Sequence, residues 1–495
     1  MRLWLILLLV VIILSGCSEL NEKLNKEISK YQGRINPTPT PITTLTPQSS
    51  YTPQQTATPN QTPVITPTLT PEVSEEFDRK YSEIESILDE VFYLLRSAAV
   101  YYEANELGKA KDECLKGRQK LIEVEKELNE LYFYQKTEKE MELIKDLEYF
   151  KAFLDEYLAS MISFINLLGK YGDSTDYKET KKFFKDFREV KRRFSNVYYY
   201  LYKMNFTPDD EEFVEVIDPM LKFENYYCQF VDKISGNWYS KYFYQVDPHD
   251  KFVVEITEKL TKGVADETEI KYALKNWVAN NIRYKHDPNW KSDYVYPPSL
   301  TALLGEGDCD DFSVLLASMF MRAGIQNVHL VFVDLDHDGE VDHLTVGIPE
   351  GDSIIIWEPQ YKGSGSVGED VKNWVIVEYF DIRSFISNPP PNIQLVSTKS
   401  MILGKEYILN LELANYGLGD GYVVAYAKFD VYGSKKYVYA YDKEEVQLGP
   451  GESRIVDLRL DIPYNVKTRV HIVIYTYYND RLWDEYESYG NWFHT

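Results

Sequence analysis

Apolar residues recur at steps of four and three through the first part of the chain and alternate along its last hundred residues, with both patterns mixed between. Phe77, Tyr81, Ile84, Leu88, Val91, Leu95, Ala98 and Tyr102 form one helical stripe. Leu107, Ala110, Cys114, Leu121, Val124, Leu128 and Leu131 form a second, with Gly117 in the remaining place. A third runs through Phe183, Phe187, Val190, Phe194, Val197 and Leu201. Each stripe marks the buried face of a long helix, and breaks near Asn105, Lys136 and Gly172 separate them, which predicts an antiparallel α-helical bundle over residues 72–243. Aromatic residues on such stripes belong to the core first. Tyr198, Tyr199 and Tyr200 are expected in part outside it, as an exposed patch open to a partner.

Residues 389–495 read differently. Segments 407–413, 422–432, 436–441, 454–462 and 469–478 alternate or run apolar at strand spacing, with turns at 416–421, 449–453 and 479–480 between them. Short strands with regular turns predict a β-sandwich of immunoglobulin-like type. The turn Leu448-Gly449-Pro450-Gly451-Glu452 resembles those of cell-surface adhesion modules, which implies a passive role in recognition, spacing or packing.

Between these, residues 244–388 mix both periods and hold the chemistry. After Gly307-Asp308-Cys309-Asp310-Asp311-Phe312, the residues Leu315, Leu316, Met319 and Phe320 fall on one helical face and Gly324 supplies a stop, so a helix is predicted over 309–323. Cys309 then sits in the first turn, where unpaired N–H groups and the helix dipole stabilise a thiolate. Asp308 is placed as the cap, with Asp310 and Asp311 as first-turn acids. These carboxylates oppose a thiolate, so a histidinium beside the sulfur is required. Segments 329–334 and 340–348 read as strands joined across Asp336-His337-Asp338-Gly339, and 353–357 as a third. His343 lies on the return strand and Glu358 at the end of the third, the order Cys, His, acid of a thiol acyl-transfer site. His329 and His337 compete for the base role, the first as a packed or edge histidine and the second at a solvated tip. Cys309 alone would pass for a small buried hydrophobe, and Glu358 for an exposed carboxylate.

This segment resembles the transglutaminase-like superfamily of cysteine peptidases and amide acyl-transferases, over 247–361. The resemblance rests on IKYALKNWVANNIRY (270–284), the Pro-Ser-Leu lead-in at 298–300, the helix GDCDDFSVLLASMFMRAGI and the strands DHLTVGI and IIIWEP. It implies an α+β, papain-like domain with Cys309 as nucleophile, His343 as general base and acid, and Glu358 orienting the imidazole. Aspartate is commoner at that last position, and the longer glutamate still reaches an imidazole.

Asp334, Asp336, Asp338, Gly339 and Asp342 copy the first half of a calcium loop, with Thr345 where the closing glutamate belongs. A polar hairpin tip is the plainer reading. No cofactor is otherwise called for.

Arg2, the apolar run 3–14 and Leu14-Ser15-Gly16-Cys17 read as a signal peptide (1–16) ending in a lipoprotein cleavage box, an uncleaved anchor being the alternative. Residues 17–71 are rich in Pro and Thr, uncharged from 35 to 71, and predict an extended stalk. With 54 basic against 78 acidic residues, a net charge of −24, the chain is ill suited to nucleic acid or to an electrostatic grip on anionic lipid. Of four cysteines, Cys17 is assigned to lipid, Cys114 and Cys228 lie on apolar stripes and either pair or stay buried thiols, and Cys309 is left over. The combined expectation is a lipid-anchored, extracytoplasmic cysteine hydrolase acting on a protein or peptide of the cell envelope. A crosslinking transamidase and a non-catalytic surface module are the alternatives.

Overall fold

The computed structural model describes residues 75–171, 179–205, 211–287, 294–361, 374–434 and 438–495. The signal-peptide, Cys17 and stalk readings lie outside the described residues. No described helix is long and apolar enough to cross a membrane.

Five long helices come first: α1 (Glu75–Glu103), α2 (Leu107–Leu131), α3 (Glu138–Tyr171), α4 (Thr180–Lys203) and α5 (Glu211–Ser235). Their stripes meet in one core that includes Phe77, Ile84, Val91, Val124, Leu131, Phe187 and Val197. Asn105 turns the chain between α1 and α2 at φ 57°, a left-handed conformation that asparagine tolerates. Gly117 occupies its stripe because α2 and α3 cross there: a Cβ would lie 2.9 Å from Leu158.

The middle of the chain holds α6 (Ser240–Gln245), α7 (Lys251–Thr261), α8 (Glu267–Asn281), β1 (Arg283–Tyr284), α9 (Pro298–Leu304), β2 (Glu306–Gly307) and α10 (Cys309–Arg322). There follow β3 (His329–Asp334), β4 (His343–Glu350), β5 (Ser353–Trp357), β6 (Val375–Asp381) and α11 (Ile382–Ser387). The four strands form an antiparallel sheet in the order β5-β4-β3-β6. Phe312, Leu315, Leu316, Met319 and Phe320 bury α10 between that sheet, at Leu330, Phe332, Leu344, Val346 and Trp357, and helices α7 and α8, at Phe252, Leu274 and Val278.

The last region is all β: β7 (Ile393–Leu403), β8 (Glu406–Asn415), β9 (Gly421–Val431), β10 (Val438–Leu448), β11 (Ser453–Asp461), β12 (Lys467–Tyr478), β13 (Arg481–Tyr489) and β14 (Phe493–His494). One sheet runs β11-β8-β7 and the other β10-β9-β12-β13, with β14 on β12. Leu409, Leu411, Val456 and Leu458 of the first share a core with Val423, Ala425, Phe429 and Ile472 of the second. Strands β6, β7 and β13 escape a periodicity reading because they are edge strands exposed on most of their length, with no buried face to impose alternation.

One expectation changes and one open alternative is decided. Tyr198, Tyr199 and Tyr200 are no free patch: Tyr198 is buried and donates to Glu224 of α5 at 2.9 Å, and Tyr199 donates to Glu255 of α7 at 2.8 Å. Tyr200 accepts from Lys251 at 2.8 Å, so the three fasten α4 to its neighbours. Cys114 and Cys228 are unpaired buried thiols in separate cores.

Asp250 joins α7 to α9. It caps α7 by accepting from the N–H of Phe252 at 2.9 Å and of Val253 at 3.3 Å, and it takes the Ser299 hydroxyl of α9. Burial, only partly offset by the Ser299 bond, pushes its carboxyl up to about 6. A pKa raised by folding means that folding takes up a proton. The resulting stabilisation is fully present below pH 3.8 and is lost as the pH rises through 6, a change on the order of 3 kcal/mol. Urea midpoints measured from pH 7 down to pH 4 are therefore expected to fall less in the native chain than in Asp250→Asn, whatever the variant's absolute stability.

Candidate active site

The helix that Cys309 opens, α10, is aimed by a knot of backbone just ahead of it. After α8, Tyr284 lies parallel to and in register with Gly307, and the N–H groups of Arg283 and Lys285 donate to Gly305 and Gly307 at 2.8 Å each. Gly305, at φ 62°, ends α9 in the left-handed region and turns the chain into β2. Gly307 has a steric reason: a Cβ there would stand 2.6 Å from the Asp311 side chain. Asp311 is fully buried, accepting from the N–H of Tyr296 at 2.7 Å and of Asp308 at 3.3 Å. It clamps the segment before α9 onto the start of α10. Burial, reinforced by the Asp308 charge, raises its carboxyl well above the usual range. Asp311 is thus the first-turn acid expected from sequence, and its burial makes it a clamp as well.

Cys309 is the first residue of α10 and half-buried against the core. Its N–H is among those that an α-helix leaves without an intrahelical partner. The phenol of Tyr284 is pushed up to about 12, first by burial and then by the charges of Cys309, Asp308, Asp310 and Glu358.

The partners come from the sheet. His343 opens β4 and Glu358 follows the last residue of β5. Val346 pairs with Trp357, so the register continued by one residue sets Glu358 opposite Thr345, on the same face as His343. The His343 Nε2 lies 2.8 Å from Glu358 Oε2, both side chains being buried, while Glu358 Oε1 accepts from the N–H of Gln360 at 3.0 Å. Nδ1 is thus the ring nitrogen not engaged by the carboxylate. Trp374 meets the imidazole edge-on, with centroids 5.2 Å apart.

Helix and sheet are tied by a residue that sequence reasoning passed over. The hydroxyl of Ser313, one turn after Cys309, lies 2.7 Å from the Cys309 carbonyl and 2.8 Å from that of Leu344, next to His343. Strand β5 pairs with β4 only from Val346 onward, so this contact takes over just where the strand pairing stops. Lys275 was missed as well. It is wholly buried on α8 and donates to the Tyr361 carbonyl at 2.8 Å. Burial lowers its pKa, and the Glu358 charge opposes that shift. Both carried a readable signal, as polar residues beside buried apolar positions, Ser313 between Phe312 and Val314 and Lys275 next to Leu274.

His329 and His337 stand apart from this cluster. The His329 ring nitrogen is 2.8 Å from the Asn327 carbonyl, and His337 holds φ 67° at the exposed tip. Carboxylate oxygens of Asp334, Asp336 and Asp338 do lie within 4.8 Å of one another. Each also accepts a backbone N–H: Asp334 from His337 and Gly339, Asp336 from Asp338, and Asp338 from Glu340. Thr345, the twelfth position, is buried in β4 and supplies no acidic closing ligand. The loop closes on its own backbone, and only its first half has the donors that calcium requires.

Residues 254–340 match the family model described as the transglutaminase-like superfamily. The chain carries a transglutaminase-like domain. The matched stretch of that domain includes Cys309 and stops short of His343 and Glu358. No curated protein sequence matches the chain. Among solved structures, a β-glucuronidase of glycoside hydrolase family 2 is similar at 14% identity and TM-score 0.16, over 19% of this chain and 10% of that one. A glycosyl hydrolase family 2 member from Bacteroides cellulosilyticus DSM 14838 is similar at 17% identity and TM-score 0.17, over 21% of this chain and 15% of that one.

Two variants probe the scaffold of the transglutaminase-like domain. Gly307→Ala forces the Asp311 clamp open and is expected to cost about 1–3 kcal/mol, read as a lower urea midpoint. Ser313→Ala leaves the Leu344 carbonyl without its donor and should cost about 1 kcal/mol by the same measurement.

Proposed function

We propose that the chain is a cysteine hydrolase of amide or peptide bonds that works through a thioester acyl-enzyme. The observation that carries this reading is the buried hydrogen bond between His343 and Glu358, on a strand stapled by Ser313 to the helix that Cys309 opens. Glu358 holds the Nε2 proton, so Nδ1 takes the proton of the thiol. The Cys309 sulfur attacks the carbonyl carbon, and the oxygen gathers negative charge that the Cys309 N–H accommodates by donation. Collapse breaks the C–N bond, and the histidinium gives its proton to the departing amine. Water, deprotonated by the same imidazole, then releases the acid and restores the thiol. An amine in place of water gives a transamidase, the alternative reading.

Location is proposed from sequence: lipid on Cys17 anchors the chain at the extracytoplasmic face of the cell membrane, with the 17–71 stalk holding the folded part away from it. The substrate class that follows is a protein or peptide of the envelope. For the C-terminal region we propose the immunoglobulin-like type, supported by sheets β11-β8-β7 and β10-β9-β12-β13 closing on one core.

Thiol chemistry tests the mechanism. Burial pushes Cys114 and Cys228 up to about 12, so neither competes for an alkylating reagent in the folded chain. Iodoacetamide at pH 7 is expected to label Cys309 rapidly, and at least ten-fold more slowly in His343→Ala, with labelling followed by peptide mass. Equal rates in the two chains would overturn the assignment. Glu358→Gln is expected to lower turnover of an amide substrate by at least ten-fold, and Cys309→Ala to abolish it. Oxygen from labelled water in the acid product distinguishes hydrolysis from capture by an added amine.

A further inference from the structure

A cleft of about 1020 Å³ opens where α4, the turn between α6 and α7, the C-terminal end of α10, α11 and the start of the sandwich meet. It is separate from the candidate active site. Met321 lines it and stands twelve helical steps beyond Cys309, about 18 Å at 1.5 Å per residue.

The charge of this cleft runs against that of the whole molecule. In a chain of net charge −24, six lining residues are lysine or arginine and three are acidic. Lys181, Lys185, Arg188 and Arg192 follow one another at steps of four, three and four, which sets them in a row along one face of α4. All four are exposed, and the row is about 16 Å long. Arg383 of α11 faces the cleft from the other wall. The three acids offset only part of this. Asp186 is engaged by Lys170 at 2.8 Å, and Glu189 by Arg192 at 2.9 Å. Asp247 accepts the His249 N–H at 2.9 Å. Among the described residues no carboxylate forms an ion pair with Lys181, Lys185 or Arg188. Between the cations the floor is apolar: Phe184 packs edge-on to Tyr244 at 4.8 Å, and Leu418 of the sandwich closes the end.

We propose that this cleft binds an acidic segment of polypeptide. Charges spaced along a helix suit carboxylates spaced along a chain better than one compact anion, and the apolar floor accepts the side chains between them. Like charges elsewhere on the surface repel such a segment, so the row on α4 also directs where it lands.

Fluorescence anisotropy of a labelled glutamate-rich dodecapeptide on the full chain tests this. Binding is expected at about 50 mM salt and should weaken at least ten-fold at about 500 mM, as screening shortens the reach of the charges. Lys185→Glu with Arg188→Glu should weaken binding at least ten-fold with an unchanged melting temperature, while Lys443→Glu on the sandwich surface leaves it as it was. The proposal is overturned if the peptide does not bind at low salt or binds the double variant equally well. It is overturned too if inorganic tripolyphosphate binds and the peptide does not. None of these readings depends on catalysis, so they stand or fall apart from the role of Cys309.

Discussion

A carboxylate taken out of water is costly unless its lone pairs are answered, and Glu358 is answered twice, by the imidazole of His343 and by the N–H of Gln360. The surrounding construction serves that arrangement. Trp374 covers the imidazole, and Lys275 brings a buried positive charge to the same end of the sheet while holding the Tyr361 carbonyl. Breaking the pair by removing one partner would strand the other as a buried polar group. The bond therefore constrains ring orientation as well as stability, since it commits Nε2 and leaves Nδ1.

The start of α10 solves a second electrostatic problem. Three aspartates within four residues of a cysteine look hostile to a thiolate. Burial shifts Asp311 toward its neutral form and turns it into a hydrogen-bonded clamp, so the negative charge opposing Cys309 is less than a residue count suggests. Gly307 is the counterpart of this solution, because only a residue without Cβ leaves room for the clamp.

The three regions of the chain are not independent beads. Leu300 and Leu303 of α9 and Leu418 of the sandwich join the core of the helical bundle, and Asn392 reaches back to the Lys233 carbonyl at 3.0 Å. Asp250 and Ser299 join α7 to α9, the helix just before the one that Cys309 opens. The cationic cleft exists only because these three regions converge, since its walls belong to all of them.

Sequence alone determined a good deal. The α4 stripe, the helix beginning at Cys309 and the strands 329–334 and 353–357 were legible because buried faces impose periods of 3.6 and 2, and the order Cys, His, acid followed from the motif. The resemblance named Glu358 and His343 as partners, but sequence could not show that they meet. That depends on the β4–β5 register, where a slip of one residue would turn Glu358 to the opposite face. Nor could it show Ser313 bridging to Leu344, Asp311 turning inward, or Tyr198 joining the core, because each is a contact between segments far apart in the chain. Local spacing fixes which face of an element is apolar; only packing decides what that face meets, and the chemistry depends on the meeting.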